Sequence, residues 1–275
     1  MTFSPVVPLG GFTGWKFLTR TEEAQRAVLA RDPAIRRDVD YFRERIGTIT
    51  TADQLVSDRR LLTVALGAFG LDADINNRAF IRKVLDDGTL TTGALSNRLA
   101  DKRYLELSKA FGFGDFAVPR TQLSDFADKI IAAYQTQQFE TAVGTRDGDL
   151  RLALNAQREL AEIARRPVSE TVRWFSVLGS APLRQVMQTA LGLPQSFATI
   201  DLDQQLSVLQ ERAGRMLGDD TIAQFGDPDK VEGLVRRFLL RAETQGGGAV
   251  SGQSLALSIL QAGAARSGGV LSLLR

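Results

Sequence analysis

The chain has 275 residues, 44% of them hydrophobic, with 34 basic and 32 acidic side chains and neither His nor Cys. Without His there is no Ser-His-Asp or Cys-His catalysis and no imidazole metal ligand, and without Cys there is no thiolate nucleophile, disulfide or structural zinc site of the usual kinds. The net charge is only +2, and the dibasic pairs are scattered among acids, which is typical of solvated helix faces. We therefore expect no nucleic-acid partner.

Residues 1–20 have the composition of irregular chain. They contain two prolines, three glycines and four aromatic side chains, so we predict an irregular N-terminal segment. The opening residues show no basic region followed by an apolar one, and we expect no cleaved secretory signal. Because no apolar run approaches the roughly 20 residues that span a bilayer, we also expect no membrane insertion. These expectations place the protein in the cytoplasm, or outside the cell by an export route that needs no cleaved signal.

Residues 21–245 show helical periodicity almost throughout. Ile35, Val39, Phe42 and Ile46 form one apolar stripe at i, i+4, i+7 and i+11. Further stripes begin at Leu61, Phe80, Phe126, Leu152, Leu183, Leu202 and Val231. Alternation of the kind that marks strands is almost absent, so we predict an all-α body over 21–245 with little or no β-structure, either undivided or in two halves of about 21–145 and 146–245.

Glycine and proline mark the expected helix boundaries. Gly70, Gly112 and Gly192 follow periodic segments, where a left-handed residue ends a helix without a steric cost. The pairs Asp32-Pro33, Arg166-Pro167 and Asp227-Pro228, and Pro182 after Ser180, are typical of helix starts.

Three segments share one ending. Residues 61–71, 103–113 and 183–193 each place Ala two residues before the glycine and large apolar residues on either side of it. The similarity favours a multi-helix array with repeated helix–turn–helix hairpins, although chance similarity between helix ends explains it equally well. Either origin predicts that Phe69→Ala or Phe111→Ala costs about 3–5 kcal/mol, as large-to-small changes in a core do.

Residues 246–275 form a Gly-rich hinge and a tail of small and apolar residues. Because a segment with so many apolar residues is rarely left in contact with water, we predict that it docks onto the body or onto another chain. The predicted partner-binding residues are Leu255, Leu257, Ile259, Leu260, Leu271 and Leu274.

No motif in the chain predicts a catalytic, cofactor or metal site. Residues 71–83 resemble a calcium loop but carry Asn77 in place of the required Gly and Lys83 in place of the bidentate Glu. No phosphate-binding loop or Ser–Lys signature occurs. A pair of carboxylates that are distant in sequence stays open as a hydrolytic site, with Glu140, Glu159, Glu162 and Glu170 available.

Several segments resemble an uncharacterised family of flagellated alphaproteobacteria, domain-of-unknown-function family 1217. The similarity is dense in the first half of the chain and loose in the rest. It lies in residues 14–21, 41–43, 51–62, 68–71, 77, 80–81, 101–104 and 110–113. Because members are often encoded among flagellar genes, the resemblance implies a helical protein with a role near the flagellum, and it implies no catalytic residue.

The sequence thus predicts a non-enzymatic helical interaction protein that is accessory to flagellar assembly or function, with a protein partner or self-association. Two alternatives remain at this point. One is a carboxylate-dependent, peptidoglycan-cleaving hydrolase, and the other is a cytoplasmic chaperone or regulator of a flagellar protein.

Overall fold

The computed structural model of the protein describes residues 3–246, and this part is all-α, as predicted. The predicted partner-binding residues of the tail, Leu255 to Leu274, lie outside the described residues. The α-helices of the described part are α1 (Gly11–Ala30), α2 (Pro33–Arg45), α3 (Ala52–Ser57), α4 (Arg59–Gly67), α5 (Arg78–Asp86), α6 (Leu95–Arg98), α7 (Arg103–Phe111), α8 (Phe126–Gly144), α9 (Gly148–Arg165), α10 (Glu170–Gly179), α11 (Ala181–Ala190), α12 (Leu202–Leu217) and α13 (Pro228–Gly246). No strand occurs between residues 3 and 246, and no helix there is both long enough and apolar enough to cross a membrane.

The apolar stripes pack into two clusters of buried side chains. The first cluster is built by α2 to α5, α7 and the beginning of α8. The second is built by α1, the end of α8 and α9 to α13, with α9 packed against α8, α11 and α13. The boundary between the clusters falls inside α8, between Tyr134 and Phe139, because opposite ends of this one helix supply buried residues to each. Helix α1 packs in the second cluster, and the predicted halves of about 21–145 and 146–245 stay a prediction.

The three glycine endings have the predicted backbone conformation. Gly70, Gly112 and Gly192 are left-handed, with φ between 66° and 69°. The residue after the glycine bonds back five positions in two cases, from Leu71 N to the Leu66 carbonyl (2.9 Å) and from Leu193 N to the Gln188 carbonyl (2.9 Å). Each ending leads into a short 3-10 turn before the next helix. The motif helices α4, α7 and α11 pack chiefly against helices other than their successors, so the shared sequence marks helix ends.

Helix starts follow local capping chemistry. Asp32 accepts the Ala34 N–H (2.8 Å) ahead of α2, and Pro182 lies in the first turn of α11, as predicted. The start predicted at Arg166-Pro167 is wrong: α10 begins at Glu170, capped by the Ser169 hydroxyl. Ser169 supplies a side-chain acceptor for the first turn, which Arg166 lacks.

Residues 1–20 are irregular only in part. The chain is extended through Gly10, and α1 begins at Gly11, whose φ of 60° reverses its direction. The prediction was therefore wrong for residues 11–20. Trp15 and Leu18, three residues apart, are 2% and 0% exposed in the second cluster, and this packing decides the helical state where the glycine content had indicated a loop.

The attachment of residues 3–10 to α2 depends on pH through Asp32. Its carboxylate accepts the Phe3 N–H (2.8 Å) and the Ala34 N–H, and these bonds lower its pKa. A lowered folded-state pKa stabilises the protein above the unfolded value of about 3.9, and this stabilisation is lost as the pH falls through the folded value. In denaturant titrations, we expect the wild type to exceed Asp32→Asn in unfolding free energy at neutral pH and the gap to close in acid. Asn caps helices about as well as Asp, so a gap independent of pH contradicts the assignment.

Candidate interaction surface

Four large apolar side chains stand exposed on two neighbouring loops. Leu90 lies on the loop between α5 and α6 and is 73% exposed. Phe116, Val118 and Leu123 lie on the longer connection between α7 and α8 and are 44%, 64% and 56% exposed. We call these four residues the loop surface. Large apolar side chains exposed on adjoining loops are candidates for an interaction site.

The two loops are tied together by Asp115. Its carboxylate accepts hydrogen bonds from Thr89 N (2.6 Å), Thr89 Oγ1 (2.8 Å) and Leu90 N (3.1 Å). Partial burial raises the pKa of Asp115, but these bonds outweigh the burial, and the net pKa lies below its ordinary value. This carboxylate thus holds the backbone of Leu90 at Asp115, the residue that precedes Phe116.

The tip that carries Leu90 is also held from α6. Asn97 Nδ2 donates to the carbonyls of Thr89 (2.9 Å) and Thr91 (2.7 Å), on either side of Leu90. Buried Ser96 donates to the Gly88 carbonyl (2.6 Å). Because the backbone on both sides is bonded, Leu90 projects from a fixed loop, and little conformational entropy is lost when a partner covers it.

Phe116 has a cationic neighbour. The Arg120 guanidinium lies over its ring, 5.1 Å from the centroid. Aromatic and arginine side chains are over-represented among the residues that dominate binding energy. The chemistry of the loop surface therefore suits an apolar protein segment with an acidic group at its border.

Gly114 permits the close approach of the two loops. A Cβ at this position would lie 2.2 Å from the Asp86 carbonyl oxygen and 2.5 Å from Gly88 N, both backbone atoms that cannot rotate away. We expect Gly114→Ala to lower the unfolding free energy by about 1–3 kcal/mol, as overpacking does. The matched control is Gly93→Ala, where a Cβ meets nothing within 4 Å. Equal urea midpoints for the two variants would contradict the close approach.

Three of the four carboxylates considered for hydrolysis are hydrogen-bonded to neighbouring side chains or backbone. Glu140, 2% exposed on α8, binds Arg158 of α9 through two bonds, Nε to Oε1 (2.8 Å) and Nη2 to Oε2 (3.2 Å). Glu159 accepts from Asn155 Nδ2 (2.8 Å) and Ser180 Oγ (3.3 Å). The structure therefore gathers Glu140 and Glu159 around one guanidinium, because both lie within hydrogen-bonding distance of Arg158.

The other two candidates have different surroundings. Glu162 lies one turn along α9, and desolvation raises its pKa even though the residue stays exposed. Glu170 lies apart, at the start of α10, where it binds Arg173 and accepts the Ile222 N–H (2.8 Å). None of the four glutamates lines the cleft of about 130 Å³ between α1, α9 and α13, and none lines the larger open groove of about 620 Å³ at Thr48, Gln54 and Arg59. Glu140, Glu159 and Glu170 form ion pairs with neighbouring arginines.

Sequence reasoning missed the loop surface. Its four residues fall outside every helical stripe, in stretches rich in Gly, Thr and Pro that carry no helical periodicity. The usable signal was the presence of large apolar residues in such stretches, since a connector without a partner is usually polar.

Comparison with known proteins agrees with the resemblance seen in the sequence. The family model described as "Protein of unknown function (DUF1217)" matches residues 68–231, which is more than half of the chain and includes the whole loop surface. The chain belongs to this family. A crystal structure of a protein from Agrobacterium tumefaciens is similar, with a TM-score of 0.72 and 27% identity over 88% of this chain and 98% of that one. No curated protein matches the chain.

Proposed function

We propose that the protein is a non-enzymatic helical interaction protein, accessory to flagellar assembly or function, and that the loop surface binds its partner. The observation that carries the proposal is the fixed exposure of Leu90, Phe116, Val118 and Leu123 on loops joined by Asp115. The flagellar role in this proposal rests on the resemblance to the family, because members of that family are often encoded among flagellar genes.

The partner is a protein segment with apolar side chains and an acidic residue. The apolar part covers Leu90 and Val118, the two most exposed members of the loop surface, and the acid pairs with Arg120 at its edge. The C-terminal segment, with Leu255, Leu257, Ile259, Leu260, Leu271 and Leu274, supplies a second contact region for the same partner or for self-association. The protein acts in the cytoplasm, or outside the cell after export without a cleaved signal.

Affinity capture tests the proposal with a matched control. Tagged full-length protein is incubated with extracts of a motile and of a non-motile strain, and the captured proteins are identified by mass spectrometry. Leu90→Ser with Val118→Ser should abolish capture of a flagellar component that is found only in the motile strain. The control is Val28→Ser with Val172→Ser, which changes residues 57% and 48% exposed on α1 and α10 and should leave capture intact.

The capture result also distinguishes the proposed function from the two alternative functions. Loss of capture in both double variants, or capture of no flagellar component, contradicts the proposal. Deletion of residues 249–275 should weaken the same complex if the C-terminal segment contributes. Release of the partner on assembly into the flagellum would favour a chaperone. Turnover of cell-wall substrate that is lost in Glu162→Gln would favour a hydrolase.

A further inference from the structure

Residues 3–9 form an extended N-terminal strap that runs back along α1. Body side chains hold its backbone at two points. Gln25 of α1, only 8% exposed, accepts from Val6 N (2.8 Å) through Oε1 and donates to the Val6 carbonyl (3.1 Å) through Nε2. Asp32 accepts the Phe3 N–H (2.8 Å). The bonds at Val6 imitate those between paired strands, so the site recognises an extended backbone.

The strap also inserts side chains between α1 and α8. The Phe3 ring packs against Phe139 of α8, with centroids 6.1 Å apart, and the Arg26 guanidinium lies 4.7 Å from the Phe139 ring centroid. Pro5 is buried, and Arg146 donates to Ser4 Oγ (2.7 Å). These contacts join residues 3–6 to side chains of α1 and α8 and of the turns that follow these helices. None of the contacts involves the turn that connects the strap to α1.

That turn depends on two glycines. Gly11 has a φ of 60°, a conformation that other residues rarely adopt. A Cβ on Gly14 would lie 2.0 Å from the Leu9 carbonyl oxygen, a backbone atom, whereas the nearest side-chain atom, on Leu150, would lie at an ordinary 3.4 Å. The strap of the same chain therefore reaches its site only through a tight reversal against Gly14.

We propose that this site accepts the strap of a second copy of the chain, so that two molecules exchange residues 3–9. All the contacts described at Gln25, Asp32, Phe139 and Arg146 form equally well between copies, and exchange removes the reversal at Gly11 and Gly14. The short connection gives a molecule's own strap a high effective concentration, so exchange increases with protein concentration and with any change that disfavours the turn. The proposal does not depend on a flagellar partner.

Gly14→Ala is the decisive variant. Alanine is the better helix former within α1, and its methyl group meets the strap's Leu9 carbonyl. In sedimentation velocity over a range of concentrations, Gly14→Ala should form severalfold more dimer than the wild type. The control is Gly233→Ala, an interior position of α13 where a Cβ meets nothing within 4 Å, and it should match the wild type. A folded Gly14→Ala protein that stays monomeric at all concentrations overturns the proposal.

Crosslinking between copies identifies the exchanged segment. Because the chain has no Cys, Ser4→Cys in one copy and Arg146→Cys in another give a unique pair of thiols for a short bismaleimide. Mixing the two variants should give a linked dimer, more of it when both also carry Gly14→Ala. The chain with both cysteines serves as the control for geometry and should link within one molecule at low concentration. If that control links and the mixture does not, the exchange does not occur.

Removal of the strap distinguishes strap exchange from any other dimer. Gln25→Ala cannot do so, because it weakens the binding of a molecule's own strap and of an exchanged strap alike. Deletion of residues 2–9 from the Gly14→Ala protein should abolish the additional dimer in sedimentation velocity, since no strap is left to exchange. A truncated protein that dimerises as strongly as full-length Gly14→Ala overturns the proposal. This experiment uses purified protein, so its outcome is independent of the flagellar capture.

Discussion

Phe111→Ala should lower the unfolding free energy by about 3–5 kcal/mol, the range for truncating a fully buried phenylalanine. The ring is 0% exposed at the end of α7, and it meets Phe126 of α8 edge to face at 5.1 Å and Phe113 at 5.6 Å. Truncation leaves a cavity where α7 joins the first cluster, and the neighbouring rings cannot fill it without moving the Gly112 turn.

Substitutions of two less buried phenylalanines, Phe69 and Phe116, serve as comparisons for Phe111→Ala. Phe69 occupies the equivalent place before its glycine, in the turn that follows α4, but is only partly buried, so Phe69→Ala should cost clearly less than Phe111→Ala, contrary to the equal effects that the sequence predicted. Phe116→Ala, at a residue 44% exposed, should cost about 1 kcal/mol or less. Urea unfolding followed by circular dichroism measures all three variants, and a Phe111→Ala midpoint equal to that of Phe116→Ala would falsify the packing assigned here.

The tryptophans show whether the two clusters unfold together. Trp15 and Trp174 are both buried in the second cluster, whereas Phe111 lies in the first. Because α8 supplies buried residues to both clusters, we expect the Trp fluorescence midpoint of Phe111→Ala to shift by as much as the circular dichroism midpoint. A shift in circular dichroism alone would mean that the clusters unfold separately.

Local chemistry made most helix boundaries predictable. A left-handed glycine at 70, 112 or 192 and an aspartate before Pro33 or Pro228 act within a few residues, so their consequences are visible in the sequence. The failure at Arg166-Pro167 is of the same local kind, because Ser169 offered a better cap three residues later.

Tertiary contacts made the remaining features unpredictable. The helical state of residues 11–20 depends on burying Trp15 and Leu18 against helices far along the chain. The loop surface depends on Asp115 reaching Thr89, 26 residues away, which no periodicity records. The strap depends on Gln25 and Asp32, whose bonding to Phe3 and Val6 is decided by the reversal at Gly11.

Breaking the ion pair between Glu140 and Arg158 should also lower the folding stability strongly. The pair joins α8 to α9, and Glu140 is 2% exposed. Burial opposes the charge on Arg158, but the hydrogen bond to Glu140 outweighs the burial and raises the pKa of Arg158. Arg158→Met should therefore cost about 3–5 kcal/mol, because it leaves a buried carboxylate without a partner.

Two controls distinguish an unpartnered charge from lost packing. Arg215→Met removes the exposed partner of Glu211 on α12 and should cost less than about 1 kcal/mol. Adding Glu140→Leu to Arg158→Met should recover most of the lost stability, since a buried ion pair and an apolar pair of similar volume are often nearly equivalent. If the double variant is less stable than Arg158→Met, Glu140 makes a stabilising interaction other than the ion pair, and its place among candidate catalytic carboxylates is reopened.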